Sequence, residues 1–213
     1  MIETVIVEDS PMAMRYLQSV LREDGGFSVL GEFEDAFRAE EFLQGRRADL
    51  VLMDVLTQHS HSGLAAGERI RQREGAPKVV IVTSLIDPEV LQRAKAGAAD
   101  SLWYKDHGSR ELLDVIRRTL GGQRVFPDSA PSVELRDMLS GDISPRQFSI
   151  LRRFVRGMTY EEIAKELKIT ESGVRWNMKD IIDRAGYSSR HELLAAILQN
   201  KLIVTNLMDT EEE

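Results

Sequence analysis

Five short apolar runs recur through the first 106 residues, four of them ending in polar residues and each followed by an amphipathic stretch. They are TVIVED (4–9), FSVLGEF (27–33), DLVLMD (49–54), KVVIVTS (78–84) and DSLWYKD (100–106). Runs this short and this continuously apolar suit strands buried on both faces, and the stretches between them suit helices. Helices are expected from Pro11 to about Arg22, over 36–44, from about Leu64 to Arg73, from Pro88 to Ala96, and from a Ser109 cap to Gly121-Gly122. Pro88 in a first turn and Gly97 after a last turn are residues that such ends favour. Five strand–helix units in about 120 residues predict an α/β fold with a doubly wound, five-stranded parallel sheet.

In such a sheet, ligands bind at the carboxyl ends of the strands, so the strand ends are where chemistry is expected. The first strand ends in Glu8-Asp9, the third in Asp54, the fourth in Thr83-Ser84 and the fifth in Lys105. Asp54 follows the run Leu50 to Met53, and a carboxylate at the end of a buried strand is costly unless something pairs with it. Three carboxylates brought together repel unless they share a cation, and a small set of hard oxygens suits Mg²⁺, which keeps several waters and joins a phosphate. Lysine supplies a point charge for a phosphoryl oxygen, and threonine supplies a hydroxyl. Each residue alone reads as an ordinary strand end or surface group. Together, at the ends of four strands, they read as a site for phosphoryl chemistry with Asp54 as a nucleophile that forms an acyl phosphate. His59 and His61, in the loop HSHSG, have no third ligand nearby in sequence and read as solvated.

Residues 123–142 hold two of the six prolines and break the strand–helix pattern. They read as a linker with a short helix from Ser132 to Leu139. Beyond Ser144 the pattern is helical, at about 144–156, 159–167, 170–185 and 189–200. Thr159 can cap the second of these helices, with Glu162 at the capping-box position, and Thr170 the third. In the third, Val174, Met178, Ile181 and Ala185 recur at intervals that make an apolar core stripe. Ser172, Arg175, Trp176 and Lys179 make a second, basic stripe with an aromatic in it. The second and third helices read as a helix-turn-helix, whose basic stripe near a helix N-terminus suits a DNA major groove.

The strand-end residues of 1–122 resemble the receiver domain of bacterial two-component response regulators, a flavodoxin-like fold. The resemblance implies that Asp54 accepts a phosphoryl group from a cognate histidine kinase. It also implies that Glu8, Asp9, Asp54 and the Leu56 carbonyl hold Mg²⁺, and that Thr83 and Lys105 grip the phosphoryl oxygens. Two features depart from that family. VLTQHSHSG lacks the usual proline and places Gly63 nine residues after Asp54, one more than usual, and Leu102 stands where the family has an aromatic residue three before the lysine. Residues 143–203 resemble the DNA-binding domain of NarL/LuxR-type regulators at Ser144-Pro145-Arg146, Gly157, Ile163-Ala164, Val174-Arg175 and Arg190-His191-Glu192-Leu193. By that resemblance Arg175, Trp176 and Lys179 face bases or phosphates, and the last helix pairs two protomers. Gln147, Gly173 and Asn177 replace the usual Glu, Thr and His.

Charge follows the same division. Residues 1–142 carry 17 Lys and Arg against 24 Asp and Glu, residues 143–203 carry 11 against 7, and the tail 204–213 carries none against four. An acidic front half repels nucleic acid, and a basic segment behind it attracts it. With no cysteine, no signal-peptide pattern and no membrane-length apolar run, a cytoplasmic protein is expected. The expected organisation is a receiver domain at 1–122, a linker at 123–142, an all-α helix-turn-helix domain of four helices at 143–203, and an acidic tail. The expected function is a phosphorylation-regulated, DNA-binding transcription factor, a homodimer when active, that catalyses nothing beyond its own phosphorylation and dephosphorylation. The alternatives are a regulator of the same fold that ignores phosphorylation, a phosphohydrolase working through Asp54, and basic helices that dock a protein. Aspartate phosphatases usually place a second acid two residues after the nucleophile, where this chain has Leu56.

Overall fold

A computed structural model describes residues 1–105 and 108–203; Asp106, His107 and the acidic tail 204–213 lie outside the described residues. The chain divides into two compact units, with a boundary between Ser129 and Ala130.

In the first unit, β1 (Ile2–Val7), β2 (Phe27–Phe33), β3 (Leu50–Met53), β4 (Lys78–Thr83) and β5 (Ser101–Tyr104) form a parallel sheet of order β2-β1-β3-β4-β5. The strands alternate with α1 (Pro11–Asp24), α2 (Ala36–Gln44), α3 (Gly63–Arg71), α4 (Pro88–Arg93) and α5 (Ser109–Leu120). The strand order reverses direction between β1 and β3, which puts the topological switch point beside the ends of those two strands. One face of the sheet packs Ile6, Leu50, Leu52, Val80, Val82 and Trp103 against Leu17 and Leu21 of α1 and Leu112 and Ile116 of α5. Strands buried on both faces explain why these runs are apolar without alternation.

Helix ends follow local chemistry. Ser10, Asp35, Ser62 and Asp87 cap α1, α2, α3 and α4 with their side chains. Two expectations are corrected here. Ser109 is the first residue of α5 and Gly108 its cap, and the helix begun at Pro88 ends at Arg93, where the chain widens into a π turn at Ala94–Ala98.

In the second unit, residues 132–139 do not make the expected helix. They form a hairpin of β6 (Glu134–Leu135) and β7 (Met138–Leu139), with Arg136 at φ 52° in the turn. The hairpin buries Leu135 and Met138, while Arg136 stacks over the Tyr187 ring at 4.4 Å and donates to the Gly186 carbonyl at 3.1 Å. Short apolar positions two apart suit a strand as well as a helix, and contacts distant in sequence decide between them. Four helices follow: α6 (Pro145–Val155), α7 (Tyr160–Leu167), α8 (Glu171–Arg184) and α9 (Arg190–Gln199). They enclose Ile150, Leu151, Ile163, Val174, Met178, Ile181, Leu193 and Ile197. Among the described residues no helix is long and apolar enough to cross a membrane.

Candidate functional site

The ladder of the sheet continues one residue past several strands. The Glu8 amide donates to the Phe33 carbonyl, the Asp54 amide to that of Val7 and the Lys105 amide to that of Thr83, at 2.8–2.9 Å. This register holds Glu8, Asp54, Thr83 and Lys105 at one edge. Lys105 Nζ lies 2.5 Å from Glu8 Oε2 and donates to Asp54 Oδ2 at 2.6 Å. Asp54 Oδ1 accepts from the Val55 amide at 2.6 Å, and Glu8 Oε1 accepts from the Ser10 amide at 3.1 Å. Asp9 is exposed, yet Glu8, Asp9 and Asp54 bring carboxylate oxygens within 4.8 Å of one another. Thr83 is buried, and its hydroxyl accepts from the Leu85 amide at 3.2 Å.

Glu8 is 1% exposed and Asp54 8% exposed. Burial pushes both carboxyls above their ordinary range, against the pull of Lys105. Burial pulls the Lys105 ammonium down, but Asp54 and Glu8 outweigh it and hold its pKa above the ordinary lysine value. The site is therefore a buried cluster of like charges held by a single cation, able to accept further positive charge and poised around an exposed rim at Asp9.

The loop after Asp54 absorbs its additional residue in a tight turn at Gln58–Ser60, where His59 and Ser60 both take positive φ. Leu56 pairs with Ser62 across that loop. Gly63 still reaches the acceptor: a Cβ there would lie 1.8 Å from the Asp54 carbonyl oxygen. Leu102 is buried in β5, on the face of the sheet opposite its neighbour Trp103.

His59 is exposed, as expected, and His61 is half-buried, which corrects its reading as solvated; both have a partner. Each ring Nδ1 lies within 3 Å of an oxygen of the Asp35 carboxylate. Burial raises Asp35, but the hydrogen bonds from His61, His59 and the Phe37 amide outweigh it and hold the carboxyl below its usual range. Asp35 closes the end of β2, and strand-end reasoning applied to β2 as well as to the other four would have flagged it.

In the second unit, α7 opens with the expected capping box: the Thr159 hydroxyl accepts from the Glu162 amide at 3.3 Å, and the Thr159 amide donates to Glu162 Oε2 at 2.7 Å. Thr170 accepts from the Gly173 amide at 3.1 Å to cap α8. Val174, Met178, Ile181 and Ala185 are buried. Ser172, Arg175, Trp176 and Lys179 are all exposed, with Trp176 at 64%. Arg175 leans over the Tyr160 ring at 5.2 Å and pairs with Glu171. The four side chains thus share a solvent-facing surface carrying two cations and a large aromatic.

Comparison with known proteins agrees with this geometry. Residues 4–117 match the response regulator receiver domain family, and residues 142–197 match the luxR family of bacterial regulatory proteins. The chain is 29% identical over 197 residues to the transcriptional regulatory protein DesR of Bacillus subtilis, covering 91% of this chain and 95% of DesR. It is 26% identical over 211 residues to the response regulator VraR of Staphylococcus aureus, covering 95% and 99%. RcsB of Salmonella enterica serovar Typhimurium, solved bound to promoter rprA with the phosphomimetic BeF3⁻, shares the fold with a TM-score of 0.61 at 20% identity, covering 91% of this chain and 96% of that one. Two family matches in this order, over a sheet whose strand ends gather acids and a lysine and a helical unit with an exposed basic face, place the chain in the two-component response regulators of the NarL/LuxR type, DNA-binding regulators of transcription.

Proposed function

We propose that Asp54 is the phosphoacceptor and that its phosphorylation controls DNA binding by residues 143–203. The observation that carries this reading is the Asp54 carboxylate itself, buried, touched by Lys105 Nζ at 2.6 Å and joined by two further carboxylates within 4.8 Å. An Asp54 oxygen attacks the phosphorus of a kinase phosphohistidine; the P–N bond breaks as the P–O bond forms, and the imidazole leaves with the electron pair. Lys105, which holds Glu8 and Asp54 together before reaction, turns to a phosphoryl oxygen. Thr83, whose hydroxyl hydrogen-bonds the Asp54 carboxyl, donates it to another phosphoryl oxygen. The donor set fits Mg²⁺: Glu8, Asp9 and Asp54 would hold it through hard carboxylate oxygens, and by the family resemblance the Leu56 carbonyl would join them. Bound there, Mg²⁺ supplies charge neutralisation for the phosphoryl oxygens.

The output side rests on the surface of α8. Ser172, Arg175, Trp176 and Lys179 contact DNA, the cations meeting phosphates and Trp176 packing on sugar or base. The active form is a homodimer that reads two half-sites, paired through α9, and the kinase and the DNA place the protein's work in the cytoplasm. Leu56 stands where a phosphatase would carry a second acid, which argues against turnover of small phosphoesters.

The test is intact mass after incubation with Mg²⁺ and acetyl phosphate, beside Asp54→Ala. One phosphoryl mass gained by the wild type and absent from the variant, with tighter DNA binding by the modified chain, is the expected result. A modified chain whose DNA affinity and oligomeric state do not change would establish instead a regulator that ignores its own phosphorylation.

A further inference from the structure

The loop that follows Asp54 carries two histidines that phosphoryl transfer does not use. His59 Nδ1 lies 2.8 Å from Asp35 Oδ2, and His61 Nδ1 lies 2.9 Å from Oδ1 and 3.1 Å from Oδ2. The two carboxylate oxygens differ in what they meet. Oδ1 caps α2, accepting from the amides of Phe37 at 2.8 Å and Arg38 at 3.4 Å. Oδ2 faces both imidazoles.

The geometry points to a second cation site, formed by Asp35 Oδ2, His59 Nδ1 and His61 Nδ1, that takes a divalent transition ion of the zinc class. All three residues offer a donor atom within 4.8 Å of the others. Bonds of about 2.0–2.2 Å from such an ion in tetrahedral geometry place neighbouring donors about 3.3–3.6 Å apart. Two edges of the triangle, 2.8 and 3.1 Å, are hydrogen-bonded lengths that must open by about half an ångström to admit the ion. Mg²⁺ takes oxygen ligands, whereas imidazole with carboxylate suits Zn²⁺ and its neighbours. The site is thus chemically distinct from the all-oxygen cluster at Asp54, and it does not depend on Asp54 accepting phosphate.

One histidine would satisfy the carboxylate, but here two converge on it, His59 on Oδ2 and His61 across both oxygens. The chain reaches that arrangement through consecutive non-glycine residues in the left-handed region, His59 at φ 57° and Ser60 at φ 61°, where single residues are the rule. The ring of His61 is mostly covered, that of His59 is open to solvent, and a shallow cavity of about 560 Å³ lined by Phe33, Phe37 and Phe42 together with Arg38 and Glu41 opens beside them. The ion therefore has a route in and room for a water or exchangeable ligand. Coordination through Nδ1 shifts each neutral ring's proton to Nε2, with no net release. An ion here fastens the β2–α2 turn to the loop that begins at Asp54, alongside the bonds from the Gln58 amide to the Glu34 carbonyl at 2.9 Å and from the Ala36 amide to Thr57 Oγ1 at 3.1 Å.

The experiment uses the full chain, stripped with a chelator and dialysed against micromolar Zn²⁺ in a large excess of Mg²⁺, with bound metal counted by elemental analysis. The wild type should retain one zinc ion per chain, and His59→Ala/His61→Ala should bind at least about tenfold more weakly while keeping its circular dichroism. Asp54→Asn, which alters the oxygen cluster only, should keep its zinc, and Co²⁺ in place of Zn²⁺ should show a visible absorption band that the double variant lacks. A wild type without stoichiometric zinc overturns the proposal. So does zinc that survives in the double variant, and zinc lost from Asp54→Asn but kept by the double variant would assign the ion to the oxygen cluster instead.

Discussion

Lys105 bridges two buried carboxylates at once, and the residues around it carry the consequences. Asp54 has its pKa raised by burial, so the native carboxyl holds its proton more tightly than the unfolded one. The stability linked to that proton is fully present below the unfolded value of about 3.9 and is lost as pH rises through the folded value. At neutral pH the ionised Asp54 is a cost that function requires. Asp54→Asn leaves Lys105 paired with Glu8 and removes one buried charge. It should stabilise the first unit by about 1–2 kcal/mol at pH 7 in chelator, and the gain should vanish toward pH 4; urea melts at the two pH values check it. Gly63 matters for a different reason. A Cβ there would sit 1.8 Å from the Asp54 carbonyl oxygen and 2.9 Å from Met53 Cγ, so Gly63→Ala must push the acceptor's backbone aside. A loss of about 1–3 kcal/mol is expected, together with slower phosphorylation by acetyl phosphate, read from intact mass against time.

Elements in this protein are placed partly by patterns visible in the chain and partly by contacts far apart in it. The five strands are legible because burial on both faces leaves continuous apolar runs, and Glu8, Asp54, Thr83 and Lys105 are legible as strand ends. The β6–β7 hairpin is not, because what selects it over a helix is the α8–α9 turn: Arg136 on Tyr187, and Asp137 filling the space beside Gly186, where φ is +69° and a Cβ would come within 2.0 Å of the carboxylate. Nor is the Asp35–His59–His61 cluster, whose members stand 24 and 26 residues apart. Gln147 shows how a departure from a family pattern is resolved at the level of helix packing. Its Oε1 accepts from the Ser144 amide at 3.0 Å, as a glutamate's would, while its Nε2 donates to Asp180 Oδ2 at 2.8 Å and ties α6 to α8. Gln147→Glu keeps the cap but sets carboxylate against carboxylate in a buried position. It should destabilise the helical unit by about 1–3 kcal/mol at neutral pH, with recovery as pH falls through the carboxylate range, followed by far-ultraviolet circular dichroism during urea unfolding.

At the scale of the whole chain, charge and function are divided along the same boundary. Each unit has a core of its own, around Ile6, Leu52 and Trp103 in the first and around Ile150, Val174 and Ile181 in the second. The full chain has a net charge of −7, whereas residues 130–203 carry 12 Lys and Arg against 10 Asp and Glu. The acidic first unit and tail therefore oppose the approach of DNA to any basic surface on the second, whatever else regulates it. That opposition is electrostatic and fades with salt, since the screening length falls from about 30 Å at 0.01 M to about 10 Å at 0.1 M. A fragment of residues 130–203 should accordingly bind duplex DNA more tightly than the unphosphorylated full chain at low salt, with the two affinities converging as salt rises. Within the fragment, Lys179→Ala should lower the slope of log affinity against log salt by about one phosphate contact. Trp176→Ala should cost about 1–3 kcal/mol while leaving that slope unchanged, because an aromatic ring releases no counterions. Fluorescence anisotropy across a salt series separates the three effects. A fragment no tighter than the full chain at low salt would mean that the acidic unit does not restrain DNA binding through charge, and a Lys179→Ala variant with an unchanged slope would remove α8 from the phosphate backbone.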